Sequence, residues 1–182
     1  MTIASVIYGL AGTKLSPDEK AFFRDIDPWG FILFARNIEG INQVSRLTLE
    51  LRDCVGRDAP ILIDQEGGRV QRIWPPMARK WLPPLDFVDA ADDAPRAMYL
   101  RARLIAAELH DLGIDSNCAP LVDVAGPQTH DFLKNRCSGF DACTVARMGP
   151  AVADRPLDCG GLPVLQHITG HGRGVVDSYL DL

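Results

Sequence analysis

The chain has 182 residues, of which 47% are hydrophobic, and it carries a formal net charge of −5 at pH 7. A chain of this length and apolar content can bury a core, which excludes an intrinsically disordered protein. The negative charge and the scattered lysines and arginines also argue against a nucleic-acid-binding protein.

The cysteine pattern and the start of the chain predict a cellular location. Five cysteines are an odd number, and none forms a Cys-x-x-Cys pair, which favours reduced thiols over a disulfide framework or a zinc site. The first residues lack the basic region of a signal peptide, and no apolar run approaches the roughly 20 residues that span a bilayer. We therefore expect a soluble, cytoplasmic protein that binds neither membrane nor nucleic acid.

Strand and helix signals alternate along the first third of the chain. Residues 3–8 predict a strand. Ser16, followed by proline and two acidic residues, predicts the start of a helix. Residues 31–34 predict a second strand, and residues 42–54 carry apolar side chains at helical spacing. Residues 60–63 then predict a third strand.

The middle of the chain predicts a long loop and then a long helix. Residues 75–93 are rich in proline and acidic residues, which is typical of a loop. Residues 94–112 have one apolar face at helical spacing, and Gly113 is a predicted C-terminal cap.

The last third continues the alternation. Residues 114–119 and 162–165 predict a fourth and a fifth strand, and residues 144–153 between them predict a helix that Pro156 ends. Strands that alternate with helices in this way indicate a parallel sheet covered by helices. The sequence thus predicts an α/β fold with five strands.

The segment of residues 61–72 combines a strand with ligand-binding residue types. An apolar strand stops at Asp64, and two glycines precede Arg72. Parallel α/β folds present ligand-binding side chains where their strands end. Asp64 offers acceptors and Arg72 a rigid fork of donors, which suits a hydroxyl-rich small molecule. The alternative is an ordinary turn with a solvated salt bridge.

Polar residues follow two further strands as well. Asn117 and Asp123 lie at or beyond the end of the fourth strand, and Gln166 and His167 end the fifth. Because parallel strands end at one edge, we expect these side chains to converge with Asp64.

A metal site or a phosphate site is a weaker interpretation of the glycine-rich segment after the fifth strand. His167 and His171 are four residues apart, but the intervening residues disfavour a helix and no His-Glu-x-x-His motif is present. The segment also lacks the Lys-Ser/Thr of a P-loop. We expect neither a metal nor another cofactor.

Four segments in order carry a resemblance to a known family: residues 30–38, 61–72, 117–124, and 165–172 with Asp177-Ser178. They are similar to motifs of bacterial glycoside hydrolase family 3, in the β-N-acetylglucosaminidase branch that recycles cell-wall sugars. The resemblance implies a (β/α)₈ TIM-barrel fold, which typically needs about 250 residues. We therefore expect residues 1–182 to form a single partial barrel domain of about five βα units.

The resemblance also implies a function and a set of site residues. It implies hydrolysis of terminal non-reducing β-N-acetylglucosamine from murein-derived saccharides by a retaining mechanism. Its implied catalytic positions are Asp177 and Tyr179, where Tyr179 stands in place of the acid/base histidine of the family. The residues implied to bind the sugar are Asp64, Arg72, Arg136, Gln166 and His167.

This chain departs from the family pattern at several positions. Gln166 replaces a lysine, Thr169 a proline and Tyr179 the histidine, and the chain ends at Leu182, before a segment expected to carry the nucleophile. A tyrosine titrates near pH 10 and a histidine near 6.5, so Tyr179 would be a poor base near neutral pH.

Two alternatives to a hydrolase therefore stay open. One is a catalytically impaired sugar-binding or decayed homologue, which lacks the acid/base histidine and the nucleophile. The other is a self-associating module, because an incomplete barrel leaves two sheet edges that can pair with another chain.

Overall fold

A computed structural model describes residues 2–158, 161–168 and 170–176, with the side chains of residues 154–158 left out of the description. The strands, in chain order, are Ala4–Gly9 (β1), Pro28–Leu33 (β2), Ile61–Ile63 (β3), Gln65–Gly67 (β4), Val70–Gln71 (β5), Ser116–Asn117 (β6) and Leu162–Pro163 (β7). The α-helices are Pro17–Ile26 (α1), Ile41–Val55 (α2), Pro84–Asp89 (α3), Ala94–His110 (α4), Asp131–Lys134 (α5) and Ala142–Asp158 (α6).

Five strands form one parallel sheet in the order β1-β2-β3-β6-β7. Strands β4 and β5 form a separate, small antiparallel pair. Without that pair, each strand of the parallel sheet lies beside the strand that precedes it in the chain. A doubly wound sheet would reverse its order at a switch point, whereas a barrel adds each strand on the same side. The order is therefore that of a (β/α)₈ barrel, and the five predicted parallel strands are confirmed.

Local sequence signals set the helix ends. The Ser16 hydroxyl accepts a hydrogen bond from the Glu19 backbone, and the Glu19 side chain accepts one from the Ser16 backbone, which forms a capping box. Gly56 caps the C-terminus of helix α2, and its φ of 67° is a left-handed conformation that glycine adopts without strain.

The core lies between the strands and the helices that cover them. Its members come from α1, α2 and α4 on one side and from β2 and β3 on the other. Burial of each such large side chain contributes roughly 1.5–3 kcal/mol. Residues of this cluster with no exposed surface are Phe31, Leu33, Val44, Leu51, Ala59, Ile61, Ile63 and Ile73.

Three predictions of secondary structure were wrong in detail. The predicted loop of residues 75–93 contains helix α3, which starts with proline at its first position. Helix α6 continues through Pro156 to Asp158, because a proline removes only one backbone donor and α6 remains packed against α4. The fourth and fifth strands shrink to two residues each, since the chain turns into the site loops immediately after them.

Within the described residues, none of the helices combines the length and the apolar character needed to cross a membrane.

Candidate active site

The strand ends place the site at one edge of the sheet. Ile63 of β3 pairs with Asn117 of β6, and Asn117 pairs with Pro163 of β7. Because all three strands are parallel, the residues that follow them emerge side by side. Asp64 and Gln166 therefore follow β3 and β7, the two strands that flank β6, and lie at the same edge, as the sequence predicted.

The β4–β5 hairpin returns Arg72 to Asp64. A terminal nitrogen of Arg72 donates to the Asp64 carboxylate at 2.8 Å. The Gln65 side-chain oxygen accepts hydrogen bonds from the backbone of Arg72 and Ile73, at 2.9 and 3.1 Å. The Asn117 side-chain oxygen accepts a hydrogen bond from the Gln65 backbone N–H at 2.9 Å, and the Asn117 side-chain nitrogen donates to the Gln65 carbonyl oxygen at 3.0 Å. The hairpin is thus tied to its own base and to the neighbouring strand.

The two glycines of the hairpin allow another segment to pass close to it. Gly67 and Gly68 have φ values of +103° and +61°. A Cβ atom on Gly67 would lie 2.4 Å from the Leu82 carbonyl oxygen, and one on Gly68 would lie 2.6 Å from Pro83. Only glycine fits both the conformation and the space at these positions.

Glu66 is a site residue that the sequence analysis missed. Its carboxylate accepts two hydrogen bonds from the Arg136 guanidinium, at 2.9 and 2.7 Å, and only 1% of its side chain is exposed. Burial raises the pKa of Glu66, although the hydrogen bonds and charge of Arg136 oppose this rise. The only sequence signal is that Glu66 lies two residues after Asp64, which places both on one face of an extended segment.

Gln166 joins the same carboxylate. Its side-chain nitrogen donates to Glu66 at 3.1 Å and to the Cys118 carbonyl oxygen at 2.6 Å. Both N–H groups of the amide are thus directed into the protein, so its carbonyl oxygen is the group that Gln166 offers to a ligand.

His167 is oriented by Asp123. Its Nδ1 lies 2.7 Å from the Asp123 carboxylate, and its Nε2 lies 3.4 Å from a terminal nitrogen of Arg136. This pairing assigns the proton to Nδ1 and leaves Nε2 as an acceptor. Burial raises the pKa of Asp123, but hydrogen bonds from His167 and from the Gly172 backbone outweigh burial and lower it below its ordinary value.

Cys118 lies below the site and is not a candidate nucleophile. Burial, reinforced by the nearby Asp64 carboxylate, raises the pKa of its thiol to about 12. A thiol of this kind stays protonated near neutral pH and is unreactive.

The network separates accessible residues from buried supports. Side-chain exposure is 25% for Arg72, 19% for Asp64 and 26% for His167, against 1% for Glu66 and 4% for Asp123. The structure thus brings together all five predicted sugar-binding residues, of which Arg136 is largely buried, with Asp123, which was expected at this edge, and with Glu66, which was not. Accessible donors and acceptors on a rigid base can hydrogen-bond several hydroxyl groups at once.

The predicted catalytic positions Asp177 and Tyr179 lie outside the described residues. His171, the second histidine of the loop, packs its ring against that of His167 with centroids 4.7 Å apart. Within residues 2–158, 161–168 and 170–176, no three His, Cys, Asp or Glu side chains are grouped so that they could hold a metal ion.

Comparison with known proteins agrees with this geometry. Residues 7–182 match the model of the glycosyl hydrolase family 3 N terminal domain. A beta-hexosaminidase from Xylella fastidiosa (strain 9a5c) is 34% identical over 183 residues, which cover 97% of this chain and 53% of the relative.

Solved structures show the same fold. NagZ from Neisseria gonorrhoeae in complex with N-trifluoroacetyl-D-glucosamine is 31% identical with a TM-score of 0.86, covering 99% of this chain and 54% of that one. A glycoside hydrolase family 3 beta-N-acetylglucosaminidase from Paenibacillus sp. str. FPU-7 is 29% identical with a TM-score of 0.87, covering 95% and 33%.

The chain spans about half the length of the Xylella and Neisseria relatives. The family model nevertheless covers almost all of it, and the strand order and site motifs lie where the family resemblance places them. The chain therefore belongs to glycoside hydrolase family 3 and carries part of its N-terminal, TIM-barrel-type domain.

Proposed function

We propose that this chain binds a terminal non-reducing β-N-acetylglucosamine unit of a murein-derived saccharide, and that the protein hydrolyses its glycosidic bond with retention. The observation that carries the proposal is the single hydrogen-bonded network that joins Glu66, Arg136, Gln166 and His167 beside the Asp64–Arg72 pair. The N-acetylglucosamine derivative in the complex of the Neisseria relative supports the class of sugar.

Each predicted sugar-binding residue has a role that follows from its hydrogen-bonding capacity. Asp64 accepts hydrogen bonds from sugar hydroxyls, while the Arg72 guanidinium that contacts it donates to hydroxyl oxygens. Arg136, whose side chain is 11% exposed, is assigned a donor role, and Nε2 of His167, which lies 3.4 Å from an Arg136 nitrogen, is assigned an acceptor role. Gln166 contributes an acceptor where the family resemblance expects a cationic donor.

Hydrolysis would need further groups. A retaining mechanism uses a nucleophile at the anomeric carbon and an acid/base that protonates the leaving oxygen and then activates water. We assign the acid/base position to Tyr179, with Asp177 as the residue that would orient it. A neutral tyrosine can donate a proton but accepts one poorly near neutral pH.

Sugar binding without turnover is the second candidate function. Tyr179 in the place of the acid/base histidine favours it, because acid/base assistance is worth about 10²- to 10⁴-fold in rate. The site described above would then still recognise the sugar.

Two measurements on the same protein separate these candidates. Isothermal titration calorimetry with N-acetylglucosamine tests recognition, and release of a chromophore from an aryl N-acetyl-β-glucosaminide tests turnover. We expect Asp64→Ala to abolish the heat of binding and Tyr179→His to raise any turnover. Absence of heat with the unmodified chain would reject sugar recognition, while heat without chromophore release, even from Tyr179→His, would select the binding function.

A matched control is available away from the site. Glu50 forms an ion pair with Lys20 between α1 and α2, and about one-third of each side chain is exposed. Glu50→Gln therefore removes one carboxylate charge, as Asp64→Ala does, and should bind the sugar with unchanged affinity.

The location and the assembly of the protein remain proposals as well. Cys54, Cys118, Cys137 and Cys143 are free thiols, which supports a cytoplasmic location. Strands β1 and β7 are the edges of the described sheet, which supports self-association through strand pairing. A sedimentation profile of a clean monomer would count against the assembly.

A further inference from the structure

A buried arginine lies behind the candidate site on helix α4. Arg101 is 4% exposed, and its guanidinium lies near the rings of Trp81 and Phe87, at 5.6 and 4.6 Å from their centroids. Among the described residues, it forms no hydrogen bond to a carboxylate, and its Nη1 has no hydrogen-bond partner. Burial lowers the pKa of Arg101 to about 10, so it remains cationic near neutral pH.

The hydrogen bonds of Arg101 join two loops. Its Nη2 donates to the Glu66 carbonyl oxygen at 2.5 Å and to the Leu82 carbonyl oxygen at 2.6 Å. A Cβ atom on Gly67 would lie 2.3 Å from this same nitrogen. The glycine of the hairpin therefore also makes room for the guanidinium.

Glu66 is consequently held at both ends. Arg101 binds its backbone oxygen, and Arg136 binds its carboxylate. Glu66 lies in β4, and the chain runs from it through Gly67 and Gly68 to Arg72. A shift of the Glu66 backbone would therefore displace the Arg72 donors and the Arg136 fork together.

Stability alone gives a poor account of a buried guanidinium here. Removing the charge from water is expensive, and well-packed apolar residues of similar volume often stabilise a protein as well or better. The buried position of Arg101, beside the rings of Trp81 and Phe87, has room for a methionine side chain. What methionine could not do is donate to two backbone carbonyls at once.

We propose that Arg101 is a positioning residue for sugar recognition: through the Glu66 backbone it fixes the β4–β5 hairpin, and with it the relation of Arg72 to Arg136. The proposal rests on the sugar-binding function given above. Arg101 itself contacts Glu66 and Leu82 and is not a residue of the sugar-contacting set.

Hydrogen exchange on the full chain tests the positioning directly and does not depend on a ligand. In Arg101→Met, the backbone amides of residues 65–72 should exchange at least about tenfold faster, because a charged, buried hydrogen bond is lost there. Amides of β2 and α2 should keep their rates. An equal increase along the whole chain, or no increase in the hairpin, would overturn the proposal.

Calorimetry with N-acetylglucosamine then tests the connection to the sugar. We expect Arg101→Met to weaken binding by about tenfold or more. Arg101→Lys keeps a buried cation but lacks the planar guanidinium, so it should lose less sugar affinity and show a smaller increase in exchange than Arg101→Met. Arg103→Met, which removes an exposed arginine two residues along α4, is the matched control and should change neither.

The two proposals fail in different ways. Fast local exchange with unchanged sugar affinity would overturn the positioning role while the sugar-binding function stands. If the unmodified chain gave no heat with the sugar, the proposed function and the sugar part of this inference would both fall. The exchange pattern would still decide whether Arg101 fixes the hairpin. Should Arg101→Met not fold, the same two readouts on Arg101→Lys decide, with smaller changes of the same sign.

Discussion

The two ends of the parallel sheet use charged residues differently. At the carboxyl end, Glu66 and Arg136 form a buried pair beneath accessible sugar-binding candidates. At the amino end, Arg52 contacts Asp115 at 2.7 Å and Asp58 at 2.7 Å, and the Asp58 side chain is 91% exposed. The first cluster lies in a position to orient ligand-binding groups, whereas the second ties α2 to the loops that precede β3 and β6.

This difference follows the general division of labour in βα barrels. Residues at the carboxyl ends of the strands carry function, and those at the amino ends carry stability. Substitutions at the carboxyl end should therefore change both affinity and stability, while those at the amino end should change stability alone. The following predictions test that separation, from the largest expected effect to the smallest.

Glu66→Ala should have the largest effect. It leaves the Arg136 guanidinium buried without its carboxylate, and breaking a buried ion pair in this way costs about 3–5 kcal/mol. Chemical unfolding should show a loss of this size, and calorimetry should show no sugar binding by the folded fraction. A loss below about 1 kcal/mol, as for surface pairs, would show that the pair is solvated.

Asp123→Asn should have a smaller, pH-dependent effect of about 1–3 kcal/mol, since it weakens the hydrogen bond that orients His167. The pKa of Asp123 is lowered on folding, so between the folded and unfolded values the unfolded state binds more protons. The stabilisation is then complete above the unfolded value of about 4 and is lost as the pH falls through the folded value.

Unfolding free energies of Asp123→Asn and of the unmodified chain, measured across the acid range, check this sign. The difference between the two proteins should be largest above about pH 4 and should shrink at lower pH. A difference that grows on acidification would contradict the lowered pKa.

Arg52→Met tests the amino end. Arg52 donates to the Gly113 carbonyl oxygen and to Asp115, so its loss should destabilise the chain by about 1–2 kcal/mol. Because these contacts lie at the opposite end of the strands, the affinity for N-acetylglucosamine should not change. If Arg52→Met lost sugar affinity as well as stability, the amino end would also affect sugar binding and the two ends would not have separate roles.

Glu50→Gln should have the smallest effect. The Lys20–Glu50 pair is about one-third exposed at both side chains, and pairs of this kind contribute about 0.2–1 kcal/mol. Thermal unfolding in low and high salt measures it, with a smaller difference from the unmodified chain at high salt.

Local signals made much of the fold predictable. The Ser16 cap, the apolar stretch before Asp64 and the apolar face of α4 each depend on residues that are close in sequence. The helical path through Pro156 was not predictable from these rules, because packing between α6 and α4 outweighs the loss of one backbone donor. The helix α3 was missed for a related reason, since prolines that suggest a loop also start helices.

The site was predictable only in part. Strand ends predicted that Asp64, Gln166 and His167 would lie at one rim, because the geometry of parallel strands is general. Asp123 was also expected at this edge, but the pairings beneath the rim were not predictable, since Glu66 meets Arg136 across 70 residues of sequence and Asp123 meets His167 across 44. Pairings over such distances depend on loop paths that no local pattern specifies.

The one-step order of the five strands has a consequence for how this protein could diverge. The segments that follow β3, β6 and β7 each supply different residues of the site, so a substitution in one segment can alter recognition while the other segments keep their shape. Gln166, which turns its amide hydrogens inward and presents an oxygen, stands in the last described unit. New preferences among related sugars can thus arise by substitutions in a single segment at the carboxyl edge of the same sheet.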